Sequence, residues 1–142
     1  MDPGIVNLEG VTLEPNNCRL EEALFLRLDF STSGDVLNGR WVIKFIADSA
    51  HKRKIVWLGE TPVQDFLTGP PHAIEFSIDA IDVSHLKHHV LANVGLLVAT
   101  LVSGEGEDEV EHTQVSMLTQ VTQLPDAEGG GLMRSIFNPM EQ

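Results

Sequence analysis

Residues 24–30, LFLRLDF, alternate strictly. Leu24, Leu26 and Leu28 fall on one side, Phe25, Arg27 and Asp29 on the other, and Phe30 returns to the first. Successive side chains of a strand point to opposite faces, so this period predicts a strand with one face in a core. The pattern recurs in RWVIKFIAD (40–48), where Trp41, Ile43 and Phe45 oppose Val42, Lys44 and Ile46. It recurs again in HAIEFSID (72–79), with Ile74, Phe76 and Ile78 on one face. VGLLVATLV (94–102) is apolar on both faces, as expected of a central strand.

Between these segments lie breaks. Residues 4–14 read as two short β-like pieces, and Pro15-Asn16-Asn17 as a turn. Ser31 to Gly39 reads as a loop, IVWLG (55–59) as a short strand, and LTGPP (67–71) as a tight corner. Residues 82–91 do not alternate, and Asp82 or Ser84 can cap a short helix there. GEGEDE (104–109) is an acidic turn, and 110–124 is β-rich. Roughly seven to nine short strands without βαβ alternation predict an all-β fold. The expected form is an immunoglobulin-like antiparallel β-sandwich with one or two short helices in loops, a barrel being the competitor. The sandwich is expected over 1–124, with 125–142 a flexible linker and a short tail segment.

A chain of 142 residues is most simply one domain. Its net charge of −12 excludes broad electrostatic binding to nucleic acid, which needs a basic face. The same charge suits a basic protein partner, or serves solubility alone. One cysteine, Cys18, rules out a disulfide within the chain and fits a reducing compartment. No apolar leader follows the first residues, and 94–102 is about half a membrane span. The expectation is a soluble intracellular protein, nuclear or cytoplasmic, without contact to a membrane.

Catalytic patterns are sparse. His85, His88 and His89 cluster, and His85 and His89 stand four apart, but no glutamate completes an HExxH motif. A solvated helix face accounts for them, so no metal and no cofactor is expected. There is no GxSxG, P-loop or GxGxxG, and Cys18 has no local partner pattern. The chain is therefore expected not to be an enzyme. HKRK (51–54) is a basic cluster in a chain with only nine lysines and arginines; it reads as an edge-strand gatekeeper or a contact for an acidic partner.

In order along the chain, VNLEGVTLEPN (6–16), LFLRLDF with its polar loop and WVIKFIADSA, FLTGPP (66–71), IEFSIDA (74–80), VGLLVATLV and RSIFNP (134–139) resemble the anti-silencing-function histone chaperone family. The resemblance implies an elongated immunoglobulin-like sandwich. It implies that one sheet face takes a histone helix through an apolar patch with charged groups at its rim. By position the patch is Ile46, Leu96 and Val98, with His112 where the family has an arginine and Val115-Ser116 where it has two tyrosines; this chain has no tyrosine. Either Glu60 stands in for the family's rim acid or that acid is missing. The opposite groove of the family, which takes strand peptides, falls at Trp41, Phe66 and Leu67, so Trp41 is a core or groove residue. The tail segment with Ile136, Phe137 and Pro139 is expected to dock a partner. The implied partner is a core histone pair. The alternative is an adaptor subunit of a larger cytoskeletal or ciliary assembly that kept the sandwich and changed its partner.

Overall fold

The computed structural model describes residues 5–48, 53–84, 86, 94–125 and 129–140. Among these the chain forms β1 (Val6–Glu14), β2 (Cys18–Arg19), β3 (Leu24–Thr32), β4 (Val36–Asp48), β5 (Arg53–Glu60), β6 (Gln64–Phe66), β7 (His72–Ile78), β8 (Val94–Ser103), β9 (Val110–Gln123) and β10 (Leu132–Ile136). A three-stranded sheet, β1-β3-β7, packs on a seven-stranded sheet in the order β2-β10-β9-β8-β4-β5, with β6 beside the start of β4. The strand pairs in both are antiparallel. The fold is an all-β sandwich of two sheets rather than one closed barrel.

The period-two pattern explains the layering. Leu24, Leu26, Leu28 and Phe30 of β3 face inward, and so do Ile74 and Phe76 of β7. Trp41, Ile43, Phe45 and Ala47 of β4 meet them, joined by Val56 and Leu58 of β5, Leu97, Ala99 and Leu101 of β8, and Met117 and Val121 of β9. Phe30 anchors an aromatic group, with Trp41 and Phe66 edge-on at 5.2 Å each. Such contacts add about 0.5–1.5 kcal/mol per pair to the burial of the rings.

Three local expectations change. The two β-like pieces at 4–14 are one strand with a bulge between Leu8 and Gly10. The loop expected over Ser31 to Gly39 is only a short turn, because β3 runs to Thr32 and β4 begins at Val36, whose side chain is buried in the core and paired with Phe66. The helix expected at 82–91 falls largely outside the described residues; its start holds a local turn, in which Asp82 accepts from the Ser84 amide. The described helical turn is a 3-10 turn at Gly106–Asp108, in the acidic link between β8 and β9.

A fourth change concerns 125–142. The segment expected as a free tail contains β10, which runs between β2 and β9 in the large sheet. Its inward row is Leu132, Arg134 and Ile136, all buried. The Arg134 guanidinium donates to the carbonyls of Leu20, Glu22, Pro15 and Ala23 at 2.7–3.1 Å. Asn16 closes the seam, accepting from the Ile136 amide and donating to the Ile136 carbonyl. The sheet therefore continues across the expected boundary at 124/125.

Candidate functional site

The outer face of the large sheet is built by strict parity. While Trp41, Ile43 and Phe45 point into the core, Val42, Lys44 and Ile46 point out. Register then sets the rows. Ile55, Ile46, Leu96 and Leu118 stand side by side across β5, β4, β8 and β9. The next row is Trp57, Lys44, Val98 and Ser116, followed by Val42 with Thr100 and then Arg40 with Val102. Gly95 lets β8 lie close to β4: a Cβ there would stand 2.8 Å from the Ile46 carbonyl oxygen.

Val98, Ile46, Val102 and Val42 are only 1%, 5%, 5% and 6% exposed, yet none of them belongs to the core cluster. They form an apolar floor on the outside of the sandwich. Ile55 and Trp57 extend it to the edge strand and are 59% and 58% exposed. Leu118 and Val94 border it on the other side, both well exposed.

One end of this face is charged. Arg40 sits at the rim, donating to Glu109 at 2.6 Å, to Glu60 at 3.3 Å and to the Gly104 carbonyl at 2.9 Å. A cleft of about 120 Å³ lies beside it, lined by Arg40, Val42, Lys44, Trp57, Thr100 and Val102 with the carboxylates of Glu109 and Glu111. Lys44 has no carboxylate within 4.0 Å among the described residues, so the ammonium on this floor is unpaired there. A second cleft, about 270 Å³, runs between β1 and β10, and its walls are tied by Asn138 donating to the Val11 carbonyl at 2.7 Å.

The residues singled out in the sequence divide accordingly. Ile46, Leu96 and Val98 lie together on the outer face, and Glu60 stands at its rim beside Arg40. His112 does not line the cleft. It is the extra residue of a bulge in β9, where Leu101 pairs with Thr113 and Val102 with Glu111, and its Nε2 is 2.7 Å from the Ser103 hydroxyl. Glu109 and Glu111 take the rim positions instead.

The opposite groove is not open as expected. Trp41 and Phe66 are 0% and 1% exposed and stack on Phe30 in the core, so a docked peptide has no ring to touch; only Leu67 stands out from this set. Ile136 is likewise a core residue, leaving Phe137 and Pro139 exposed beyond β10. His85, His88 and His89 lie outside the described residues, as do His51 and Lys52 of the basic cluster.

Sequence reasoning missed Val42, Val102, Ile55 and Trp57 as members of the face. The signal was present: parity fixes Val42 once Trp41 is inside, and the alternation of β5 sets Ile55 and Trp57 opposite Val56 and Leu58. Among the described residues no helix is long and apolar enough to cross a membrane. No family model matches the chain, and no curated protein matches it.

Proposed function

We propose that the protein is a histone-chaperone-like binding module that takes a basic helical partner, a core histone pair, on the outer face of its large sheet. The observation that carries this reading is the exposed apolar set on that face, Ile55, Trp57, Leu118 and Val94, standing over the covered residues Val42, Ile46, Val98 and Val102, which lie outside the core cluster. A helix laid on such a floor buries its apolar stripe, at about 25 cal/mol per Å² removed from water. Glu60, Glu109 and Glu111 at one end, within a chain of net charge −12, suit a cationic partner.

The test is binding of purified protein to the histone pair at the centre of the nucleosome, at salt high enough to screen bulk attraction. Tight one-to-one binding is expected, and Val98→Arg abolishes it, because a guanidinium on the floor has to be desolvated without a partner. Leu118→Asp, at an exposed position, keeps the test valid if Val98→Arg unfolds the domain. Normal binding by both variants removes the face from the proposal; no binding by the native chain removes the histone.

A second reading keeps the face and changes the partner: an adaptor subunit of a larger assembly. Lys44 on the floor, with Arg53 and Lys54 on the edge strand, favours it, because these cations repel a histone and attract an acidic helix. Selective binding of an acidic amphipathic peptide, lost with Lys44→Glu, is the result that favours this reading over the first.

A further inference from the structure

β5 is the end strand of the large sheet, pairing with β4 alone among the described strands. Its unpaired N–H and C=O groups form a template for another strand. Edge strands are usually protected by charge, and Arg53 and Lys54 look like such protection. Yet the two ends of β5 carry opposite signs, Arg53 at the start and Glu60 at the finish. Opposite charges at the two ends of an edge are complementary in an antiparallel copy of itself.

We infer that β5 pairs with β5 of a second copy of this chain across a two-fold axis at Val56. Parity requires residues of one face to stand opposite one another, and among the registers it allows this one sets the opposite charges of the two ends together. Val56 faces the core with its own equivalent opposite. Ile55 then stands opposite Trp57 of the second copy, both on the outer face and both more than half exposed in the single chain. Beyond Trp57 the strand is irregular: Ile43 of β4 pairs with Gly59 and Lys44 with Trp57, which makes Leu58 the extra residue. Gly59 takes φ +151°, and a Cβ there would stand 2.9 Å from the Phe76 ring. That bulge sets two residues, Leu58 and Gly59, opposite the single Lys54 of the second copy. It thereby brings Glu60 opposite Arg53 at each end of the interface; Glu60 already meets Arg40 of its own chain at 3.3 Å, so Arg53 of the second copy is a second cation on that carboxylate.

An isologous contact of this kind closes on itself and does not propagate. Side-chain pairs directly across an antiparallel ladder are the unit that stabilises it, and like charges there destabilise it. The net charge of −12 per copy opposes association, so the dimer is populated at high protein concentration and dissociates on dilution. This inference does not rest on the histone reading. It joins the outer faces of two chains into one surface.

The test is sedimentation equilibrium of the full chain up to about 1 mM in about 0.15 M salt. A mass rising from 15.6 kDa to twice that value is expected. Arg53→Glu sets two carboxylates opposite one another at both ends and weakens the dimer roughly tenfold or more. Arg53→Glu with Glu60→Lys restores the pairs and the dimer. Circular dichroism of each variant confirms that the monomer is folded. A chain that stays monomeric throughout overturns the inference and leaves the edge to an extended segment of another protein. A dimer that ignores Arg53→Glu, or is not restored by the double change, places the contact elsewhere and overturns it too.

Discussion

Arg134 is buried with no carboxylate within 4.0 Å among the described residues. Four backbone carbonyls take its guanidinium, and burial pulls its pKa below the usual arginine range. Taking the charge out of water costs several kcal/mol, offset by charge-assisted bonds worth about 1.5–3 kcal/mol each. Arg134→Ala is expected to lower stability by about 3–5 kcal/mol in urea unfolding, since it strands the carbonyls and opens a cavity. Nearby, burial is the largest influence on Cys18 and pushes its thiol up, against the pull of Arg134. The thiol therefore stays protonated at neutral pH and is a poor nucleophile. Trp41 shows what single positions reveal in the sequence. Alternation placed it with Ile43 and Phe45 and was right; the resemblance also offered a groove, and the ring is in the core. Arg134 shows the opposite. A charge in an inward row reads as solvent-facing unless its acceptors are visible, and these lie 111 to 119 residues away.

At the scale of elements, the strands with clean alternation or continuous apolar character were legible: β3, β4, β7 and β8. Each carries its signal within its own residues. β10 was not, because Arg134 breaks its alternation and its neighbours β2 and β9 are distant in sequence. The candidate site was half legible. Ile46, Leu96 and Val98 meet as expected, whereas the bulge in β9 turns His112 to Ser103 and gives the rim to glutamates. Bulges add one residue without a local mark and so defeat counting along a strand. The corner at 67–71 gives a pH prediction. Asp35 accepts from the Thr68 amide at 2.8 Å, and these hydrogen bonds from Thr68 hold its carboxyl below the usual aspartate range. A carboxyl whose folded pKa is depressed stabilises the fold above its unfolded pKa and loses that effect as pH falls through the folded one. The Thr68 amide resonance is therefore expected to shift only on acidification below the ordinary aspartate range. In Asp35→Asn that step disappears; a step that survives assigns it to another group.

The whole molecule sets an acidic field around an apolar face. Steering by the field and holding by the face are separable. For a basic partner the association rate is expected to fall at least about tenfold from low to high salt, while dissociation changes little, as surface binding kinetics would record. A dissociation rate that rises in parallel would make the contact electrostatic throughout and count against the apolar floor. The Arg134 cradle has a further consequence at this scale. It ties 15–23 to the strand at 132–136, so the loop it closes spans most of the chain. Contacts of such separation form late, because loop-closure entropy has to be met before they contribute. While the chain is being synthesised, the acceptors at 15–23 emerge first and wait for their guanidinium, and the large sheet stays open at β9. The large sheet is therefore complete only once the strand at 132–136 is available to pair with β2 and β9.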